Sequence, residues 1–327
     1  MQRDSSFDNY KGFLIILVLV GHFIGPLTEK SYFANFLETA IYSFHMPAFI
    51  FISGFFSKRN SFVKLVKTIF VPYVVFQIIY FFFSNAIWDK ANDFQLFDSA
   101  FSLWFLLSLF CWRVLIDKVI KVKGIIFLLF LIGILVGFDT SIGTFASLGR
   151  TITFFPYFVL GHKFDKEKFM KLADRKAVKI LSALLLLAAF TIIFITCENI
   201  DFDILTIKHS YEKIGFPQWG WLYRMSLYLA STVLILLFAT IIPRRRHWYS
   251  YLGQRTMSIY LLHGIVFKTI EYRTNIYDSI DTNGEVMLIV LFAVVLSFLL
   301  SLKPFDYCIK EISLIPVEKL LSIKENS

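Results

Sequence analysis

Two histidines near the ends of the first two apolar segments are the residues best suited to acid–base chemistry. His22 ends the run FDNYKGFLIILVLVGHF, and His45 opens the run SFHMPAFIFISGFF. An imidazole takes up and returns protons near neutral pH, so either histidine could accept the proton of a hydroxyl nucleophile. At similar depth the two side chains could line one pocket. A structural role as a polar contact between helices stays open for each.

Lys11 and Asp8 belong to the same predicted helix as His22. Eleven residues of α-helix turn through about 1100° and rise about 16 Å, so Lys11 and His22 share one face at different depths. Asp8 precedes Lys11 by three residues and can form an ion pair with it on that face. The alternative is an interfacial ion pair whose lysine extends to the membrane surface.

Two arginines and a third histidine also interrupt apolar stretches. Arg150 and Arg224 lie near the ends of their segments, where an arginine can hold an anion or stabilise negative charge on a carbonyl oxygen. Both could instead extend to the lipid headgroups. His263, in SIYLLHG, could be a buried polar contact between helices. The pattern assigns no role to Arg224 or His263.

These residues are exceptions in a strongly apolar chain. Of its 327 residues, 57% are hydrophobic and only 17% are charged. Soluble domains are about 45–50% apolar and about 25% charged, so the composition excludes an ordinary soluble enzyme. It predicts an all-α polytopic membrane protein. The chain has no Walker A, GxSxG or HExxH motif and no cysteine pair with metal-site spacing, so no metal site is predicted.

Charge-poor stretches long enough for a membrane helix predict ten spans. Eight are free of charge, and the other two each contain a single charge, at Arg150 or Lys268. The predicted spans are 12–28, 39–57, 68–88, 99–112, 124–138, the stretch between Asp139 and Lys163, 180–197, 225–243, the stretch between Arg255 and Glu271, and 286–302.

The distribution of positive charge predicts the orientation of these spans. Most of the 33 Lys and Arg residues fall in alternate connections, which is the pattern of the positive-inside rule. The rule predicts that both termini are cytoplasmic. The net charge of +9 then reflects orientation and not a nucleic-acid partner. No connection is long enough for a second domain, so residues 1–327 are predicted to form one membrane domain.

Several motifs resemble those of the membrane-bound acyltransferase-3 family. In chain order they are D-x-x-K-G, the Lys11 and His22 pair, FHMPAFIFISGF, RTITFFPYFVLG and SIYLLH. The resemblance is nearest to the fucose 4-O-acetylase-like, polysaccharide O-acetyltransferase branch. Many members carry arginine at the position of Lys11, and arginine offers a planar fork of donors where lysine offers a point charge.

The resemblance implies an integral-membrane O-acyltransferase of the bacterial plasma membrane. Such an enzyme moves an acetyl group from acetyl-CoA, used as a substrate and not held as a bound cofactor, to a hydroxyl of a cell-surface or lipid-linked polysaccharide. We expect His22 to be the general base on the sugar hydroxyl or to accept the acyl group briefly, His45 to orient it and Arg150 to stabilise the oxyanion. The residues expected to handle the donor are Asp8, Lys11, Lys58 and Arg59.

A transporter or flippase for a lipid-linked saccharide is the alternative function. It would use the same intramembrane charges as a translocation path. Transporters often show paired halves and helices broken by Gly or Pro, and neither is clear in this sequence. Two histidines in the first two helices favour catalysis at one site.

Overall fold

The computed structural model of the chain describes residues 5–57, 61–90, 93–141 and 145–316. These residues form α-helices, short 3₁₀ and π-helical turns and loops, and contain no β-strand, which confirms the all-α prediction. The α-helices are α1 (Ser5–Ile24), α2 (Tyr32–Tyr42), α3 (His45–Phe55), α4 (Phe62–Leu65), α5 (Val71–Ala86), α6 (Trp104–Val119), α7 (Ile125–Leu135), α8 (Leu148–His162), α9 (Lys166–Ala173), α10 (Lys176–Thr196), α11 (Phe202–Thr206), α12 (Gly220–Ile241), α13 (Ser250–Gly253), α14 (Thr256–Arg273), α15 (Asn283–Leu300) and α16 (Lys303–Ile312).

Six helical segments within the described ranges are long and apolar enough to cross a membrane. They coincide with six of the predicted spans, and the other four predicted spans fall on α6, α7, α8 and α14. The count of ten spans and the cytoplasmic position of both termini remain predictions. The six segments are Ser5–Leu27, Tyr32–Phe55, Phe62–Ala86, Lys176–Asn199, Gly220–Ile241 and Asn283–Leu300.

α1 lies in the interior of the helix bundle. Its residues Leu14, Ile15 and Leu19 are fully buried, and the helix contacts α2, α3, α13, α14 and α15. Near its beginning, the Asn9 side chain donates hydrogen bonds to the backbone oxygens of Pro243 and Arg245, at 2.7 and 2.8 Å. These bonds hold the start of α1 against the connection that follows α12.

The predicted span 39–57 is divided between α2 and α3. Pro47 has no N–H and cannot donate to the backbone oxygen of Ser43, so the helix loses a hydrogen bond at that point. The hydroxyl of Ser231 on α12 donates to this oxygen instead, at 2.5 Å. The break makes His45 the first residue of α3, with Pro47 in the first turn as the sequence predicts.

The predicted span 99–112 is wrong in its first part, because residues 99–103 are not helical and α6 begins at Trp104. Side chains of other helices bond the backbone of this segment. Gln77 on α5 donates to the backbone oxygens of Gln95 and Asp98, at 2.8 and 2.7 Å, and accepts from the Ala100 N–H at 3.0 Å. These bonds satisfy part of the polar backbone in and just before the irregular segment, which lets it pack against α5.

Close contact between α3 and α8 depends on two glycines. A Cβ atom on Gly54 would collide with the backbone of Phe158, and one on Gly161 would collide with the backbone of Phe51. Small residues let helix backbones approach each other in this way. The contact fixes α8, the helix that carries Arg150, against α3.

Candidate active site

His22 of α1 and His263 of α14 form a stacked pair. Their ring centroids are 5.3 Å apart and their planes are inclined by 27°. Phe101 packs against both, with ring-centroid distances of 4.6 Å to His22 and 5.7 Å to His263. His263 is fully buried, whereas His22 keeps some accessible surface. The pair therefore combines a partly exposed histidine with one enclosed by protein.

The hydrogen bonds of His263 define where its proton lies. Its Nδ1 is 2.6 Å from the backbone oxygen of Tyr260, and a carbonyl oxygen only accepts, so Nδ1 carries the hydrogen. Nε2 of the neutral ring is then a lone-pair acceptor. It is buried and has no hydrogen-bond partner among the described residues. Buried polar atoms are normally paired, so this nitrogen is suited to receive a proton or a ligand donor.

Tyr42 connects His22 with His45. The Tyr42 hydroxyl is 3.3 Å from Nδ1 of His22, and the Tyr42 ring packs edge-on against the His45 ring at 4.8 Å between centroids. Nδ1 of His45 donates to the backbone oxygen of Ile41 at 2.8 Å. The two histidines that the sequence expects in one pocket thus meet the same tyrosine, while the ring stacked on His22 is His263.

A cavity of about 270 Å³ approaches the histidine pair along α1. We call it the Lys11 cavity. On α1 its lining residues are Lys11, Ile15 and Val18, and helical spacing makes His22 the next residue on that face. The cavity therefore follows the face on which the sequence predicts Lys11 and His22.

α14 and α6 line the Lys11 cavity in matching order. On α14 its lining ends at Tyr260, and His263 follows one turn later. On α6 the lining runs from Phe105 to Arg113, away from Phe101. The walls are mostly apolar, with the cations of Lys11 and Arg113 at the end distant from the histidines. The cavity thus runs from a positive end, along mostly apolar walls, toward the histidine pair.

The positive end of the cavity is held by an ion pair and hydrogen bonds. The ammonium of Lys11 is 3.0 Å from the Asp8 carboxylate, as expected for this spacing, and Gln254 donates to the same carboxylate at 3.2 Å. Arg113 donates to the backbone oxygen of Phe56 at 3.2 Å. Lys58 and Arg59, the other residues expected to handle the donor, lie outside the described residues.

A second cavity, of about 740 Å³, lies on the other side of the pair, and we call it the Trp88 cavity. Phe101, which packs on both histidines, is part of its lining. Along α14, Tyr260 lines the Lys11 cavity, His263 follows, and Lys268 and Tyr272 line the Trp88 cavity. The histidine pair therefore lies between the two cavities. Other lining residues of the Trp88 cavity are Tyr80, Trp88, Asp93 and Asp98.

Arg150, the expected oxyanion stabiliser, lies at the beginning of α8. Its guanidinium is 4.4 Å from the Trp104 ring centroid and donates to the Ser147 hydroxyl at 3.4 Å. Ser147 in turn bonds Ser99, which lines the Trp88 cavity, at 2.8 Å between the hydroxyl oxygens. These contacts connect Arg150 to the site through Ser147 and Ser99.

Arg224 has a structural role. It is buried, its guanidinium lies 4.7 Å from the Tyr211 ring centroid, and it donates to the backbone oxygen of Gly133 at 3.1 Å. These contacts join α12 to α7.

Sequence reasoning left His263 without a role and did not consider Tyr42 or Phe101. His263 had one signal, a histidine in the middle of an apolar helix, but its partner is on α1, far away in the chain. No feature of the sequence marks Phe101. Its backbone φ is 46°, a conformation rare for a bulky residue, whereas the sequence predicts a helix at this position.

Comparison with known proteins relates nearly the whole chain to enzymes that transfer acyl groups. A family model of an acyltransferase domain, acyltransferase-3, matches residues 4–302. The chain is 44% identical over 69 residues to the nodulation protein NolL of Mesorhizobium japonicum, which covers 19% of this chain and 18% of that protein. It is 40% identical over 72 residues to NolL of Sinorhizobium fredii, covering 20% and 19%. The chain thus spans about a fifth of the length of these curated relatives, and no solved structure gives a significant match.

Proposed function

We propose that this chain, which belongs to the acyltransferase-3 family, is an integral-membrane O-acyltransferase of the bacterial plasma membrane. It would transfer an acetyl group from acetyl-CoA to a hydroxyl of a cell-surface or lipid-linked polysaccharide. The observation that carries the proposal is the Lys11 cavity, whose α1 wall continues from Lys11, Ile15 and Val18 to His22.

The Lys11 cavity suits an acyl thioester on a long arm. Its two cations, Lys11 and Arg113, attract phosphate groups at the end that the positive-inside rule predicts to be cytoplasmic. The eleven residues from Lys11 to His22 rise about 16 Å, so the reacting end must reach the histidines on an extended arm. Lys58 and Arg59 add further positive charge to the connection after α3.

His22 is the proposed general base. If its Nδ1–H donates to the Tyr42 hydroxyl, Nε2 is free to take the proton of the acceptor hydroxyl. The acceptor oxygen attacks the thioester carbonyl, the carbon–sulfur bond breaks, and the proton passes from His22 to the departing thiolate. No oxidant or reductant is needed, because the reaction exchanges one acyl bond for another.

His263, His45 and Arg150 support this step in different ways. His263, stacked on His22, offers a buried nitrogen without a partner among the described residues, next to the proposed base. His45 acts through Tyr42 and is therefore a positioning residue. Arg150 supplies positive charge for the oxyanion, and a fixed cation in a site that excludes water can stabilise such charge strongly.

The test uses purified protein, labelled acetyl-CoA and the alkali-deacetylated surface polysaccharide of the host. Wild-type protein is expected to release one molecule of free CoA for each acetyl group that it transfers to the polysaccharide. His22→Ala should lower the rate by about 10²–10⁴-fold, the usual contribution of a general base. His247→Ala is the matched control, because His247 is exposed and at the surface.

Two results would contradict the proposal. Transfer at the wild-type rate by His22→Ala protein would remove His22 from the reaction. Absence of transfer by the wild type, together with saccharide movement across proteoliposome membranes, would favour the transporter.

A further inference from the structure

We infer that the Trp88 cavity is the acceptor subsite and holds a neutral sugar unit of a saccharide chain beside the histidine pair. This inference rests on the proposed function, because it names the chemistry of the second substrate of the same site. It follows from the aromatic walls, the polar groups, a buried unpartnered hydroxyl and the position of Phe101.

The walls of the cavity are aromatic and fixed in place. The Trp88 indole donates to the Thr269 hydroxyl at 3.1 Å, and its ring lies 5.9 Å from Tyr80 and 6.1 Å from Tyr272, between centroids. Phe94 packs edge-on against Phe81 at 5.6 Å. Rigid aromatic faces offer broad apolar contact, which suits the C–H face of a pyranose ring.

The polar lining is suited to uncharged hydroxyl groups. Asp93 and Asp98 line the cavity, and neither carboxylate forms an ion pair with a residue that the structure describes. Ionised carboxylates only accept hydrogen bonds, and sugar hydroxyls donate them. The lining lysines are engaged, because Lys268 pairs with Glu271 at 2.5 Å and the Lys90 ammonium lies 5.0 Å from the Tyr272 ring centroid. The lining residues comprise two acidic and two basic side chains and so have no net charge for an acidic sugar, while Arg150 contacts the lining only through Ser147 and Ser99.

A buried hydroxyl without a partner marks the inner end of the cavity. Tyr80 lines the cavity, is only 2% exposed, and its hydroxyl has no hydrogen-bond partner among the described residues. The hydroxyl lies against Gly264, the residue after His263. A buried hydroxyl usually finds a partner, so a ligand hydroxyl at this point would complete it.

Phe101 lies between the Trp88 cavity and the histidine pair. Its ring lines the Trp88 cavity and also packs on His22 and His263. Its backbone is held at a φ of 46°, a costly conformation for a phenylalanine that surrounding structure must impose. A sugar in the cavity would therefore present one hydroxyl next to Tyr80 and Phe101. Only the Phe101 side chain would then separate this hydroxyl from His22, the proposed base. The volume of about 740 Å³ falls in the usual range for small-ligand sites.

The experiment measures the KM for each substrate separately, with labelled acetyl-CoA and the deacetylated host polysaccharide. The double variant Asp93→Asn with Asp98→Asn preserves side-chain size and removes both charges. It should raise the KM for the polysaccharide at least tenfold and leave the KM for acetyl-CoA within twofold. Tyr80→Phe should lower kcat/KM for the polysaccharide about tenfold. Matched controls on exposed side chains, Asp278→Asn and Tyr223→Phe, should leave both KM values within twofold.

The outcomes separate this inference from the proposed function. If the wild type transfers acetyl and the Trp88-cavity variants keep the wild-type KM for the polysaccharide, the inference alone fails. An increase in the KM for acetyl-CoA would assign the cavity to the donor and overturn it equally. If uronic-acid fragments of the polysaccharide are acetylated in preference to neutral ones, the choice of a neutral sugar is wrong. If the wild type transfers no acetyl group, the proposed function fails and the inference falls with it.

Discussion

The two cavities beside the histidine pair differ in size and in chemistry. The Lys11 cavity is about 270 Å³, mostly apolar, with two cations at its far end. The Trp88 cavity is about 740 Å³ and is lined by aromatic rings, carboxylates and amides. A narrow apolar passage suits a flexible thioester arm, whereas a wider polar and aromatic one suits a hydroxylated ring. The apolar arm of the donor and the hydroxylated ring of the acceptor could thus reach one proton-transfer site by separate routes.

The order of residues along the helices supports this separation. α14 passes from Tyr260 through His263 to Tyr272, and α1 passes from Lys11 to His22. The chain around α6 runs the other way, from Phe101 to Arg113. Only α14 passes both cavities, with His263 between them; α1 gives the order from the Lys11 cavity to His22, and the segment from Phe101 to Arg113 gives the order from the Trp88 cavity to the Lys11 cavity. If the predicted orientation holds, the donor end is cytoplasmic and the acceptor end is extracytoplasmic.

After His22, the largest effect is expected at its partner His263, which lies between the two cavities. His263→Ala removes the imidazole stacked on His22, and we expect kcat to fall about 10²-fold with both KM values nearly unchanged. Steady-state kinetics with each substrate varied in turn measure this, and thermal unfolding checks that the variant is folded. His263→Gln, which keeps a polar side chain, serves as the second variant. A change in only one of the two KM values would instead assign His263 to the binding of that substrate. The histidine pair would then not be shared by the two cavities.

A smaller effect on kcat is expected for Arg150. If its charge stabilises the oxyanion, Arg150→Ala should lower kcat by a factor of several tens, up to about 10². Arg150→Lys should recover part of the rate, because the positive charge remains. The same kinetic assay gives the result. Because Arg150 connects to the Trp88 cavity through Ser147 and Ser99, a change confined to the KM for the polysaccharide would instead make it part of the acceptor site.

Lys11 should affect the donor alone. Lys11→Ala is expected to raise the KM for acetyl-CoA about tenfold, equivalent to about 1.4 kcal/mol, because one cation facing the phosphates is lost. The KM for the polysaccharide should not change. Lys11→Arg should bind the donor at least as well, and raising the salt concentration should reduce the difference between wild type and Lys11→Ala. Equal increases in both KM values would contradict the separation of the two routes.

The smallest effect is expected for Tyr42. Tyr42→Phe removes the hydroxyl beside Nδ1 of His22 and keeps the ring that packs on His45, so kcat should fall about three- to tenfold. Both KM values and the unfolding temperature should stay close to wild type, as expected for a positioning residue. A loss as large as that of His22→Ala would mean that Tyr42 itself takes part in proton transfer.

Helix positions and boundaries could be predicted to different extents. Each of the ten apolar stretches overlaps a helix, because burial in lipid requires continuous helical hydrogen bonding that local composition reveals. The break before His45 follows from Pro47, a local cause. The irregular segment 99–103 could not be predicted, because Gln77 on another helix bonds its backbone.

The candidate site divides in the same way between local and long-range causes. The shared face of Asp8, Lys11 and His22 follows from the helical period alone, and their apolar surroundings follow from composition. The pairing of His22 with His263, the link from His22 to His45 through Tyr42, and the two cavities depend on which helix faces pack together. Helical periodicity defines the faces of each helix, but it contains no information about the neighbour that each face meets. Only the packing of the whole bundle decided that His263 is the partner of His22.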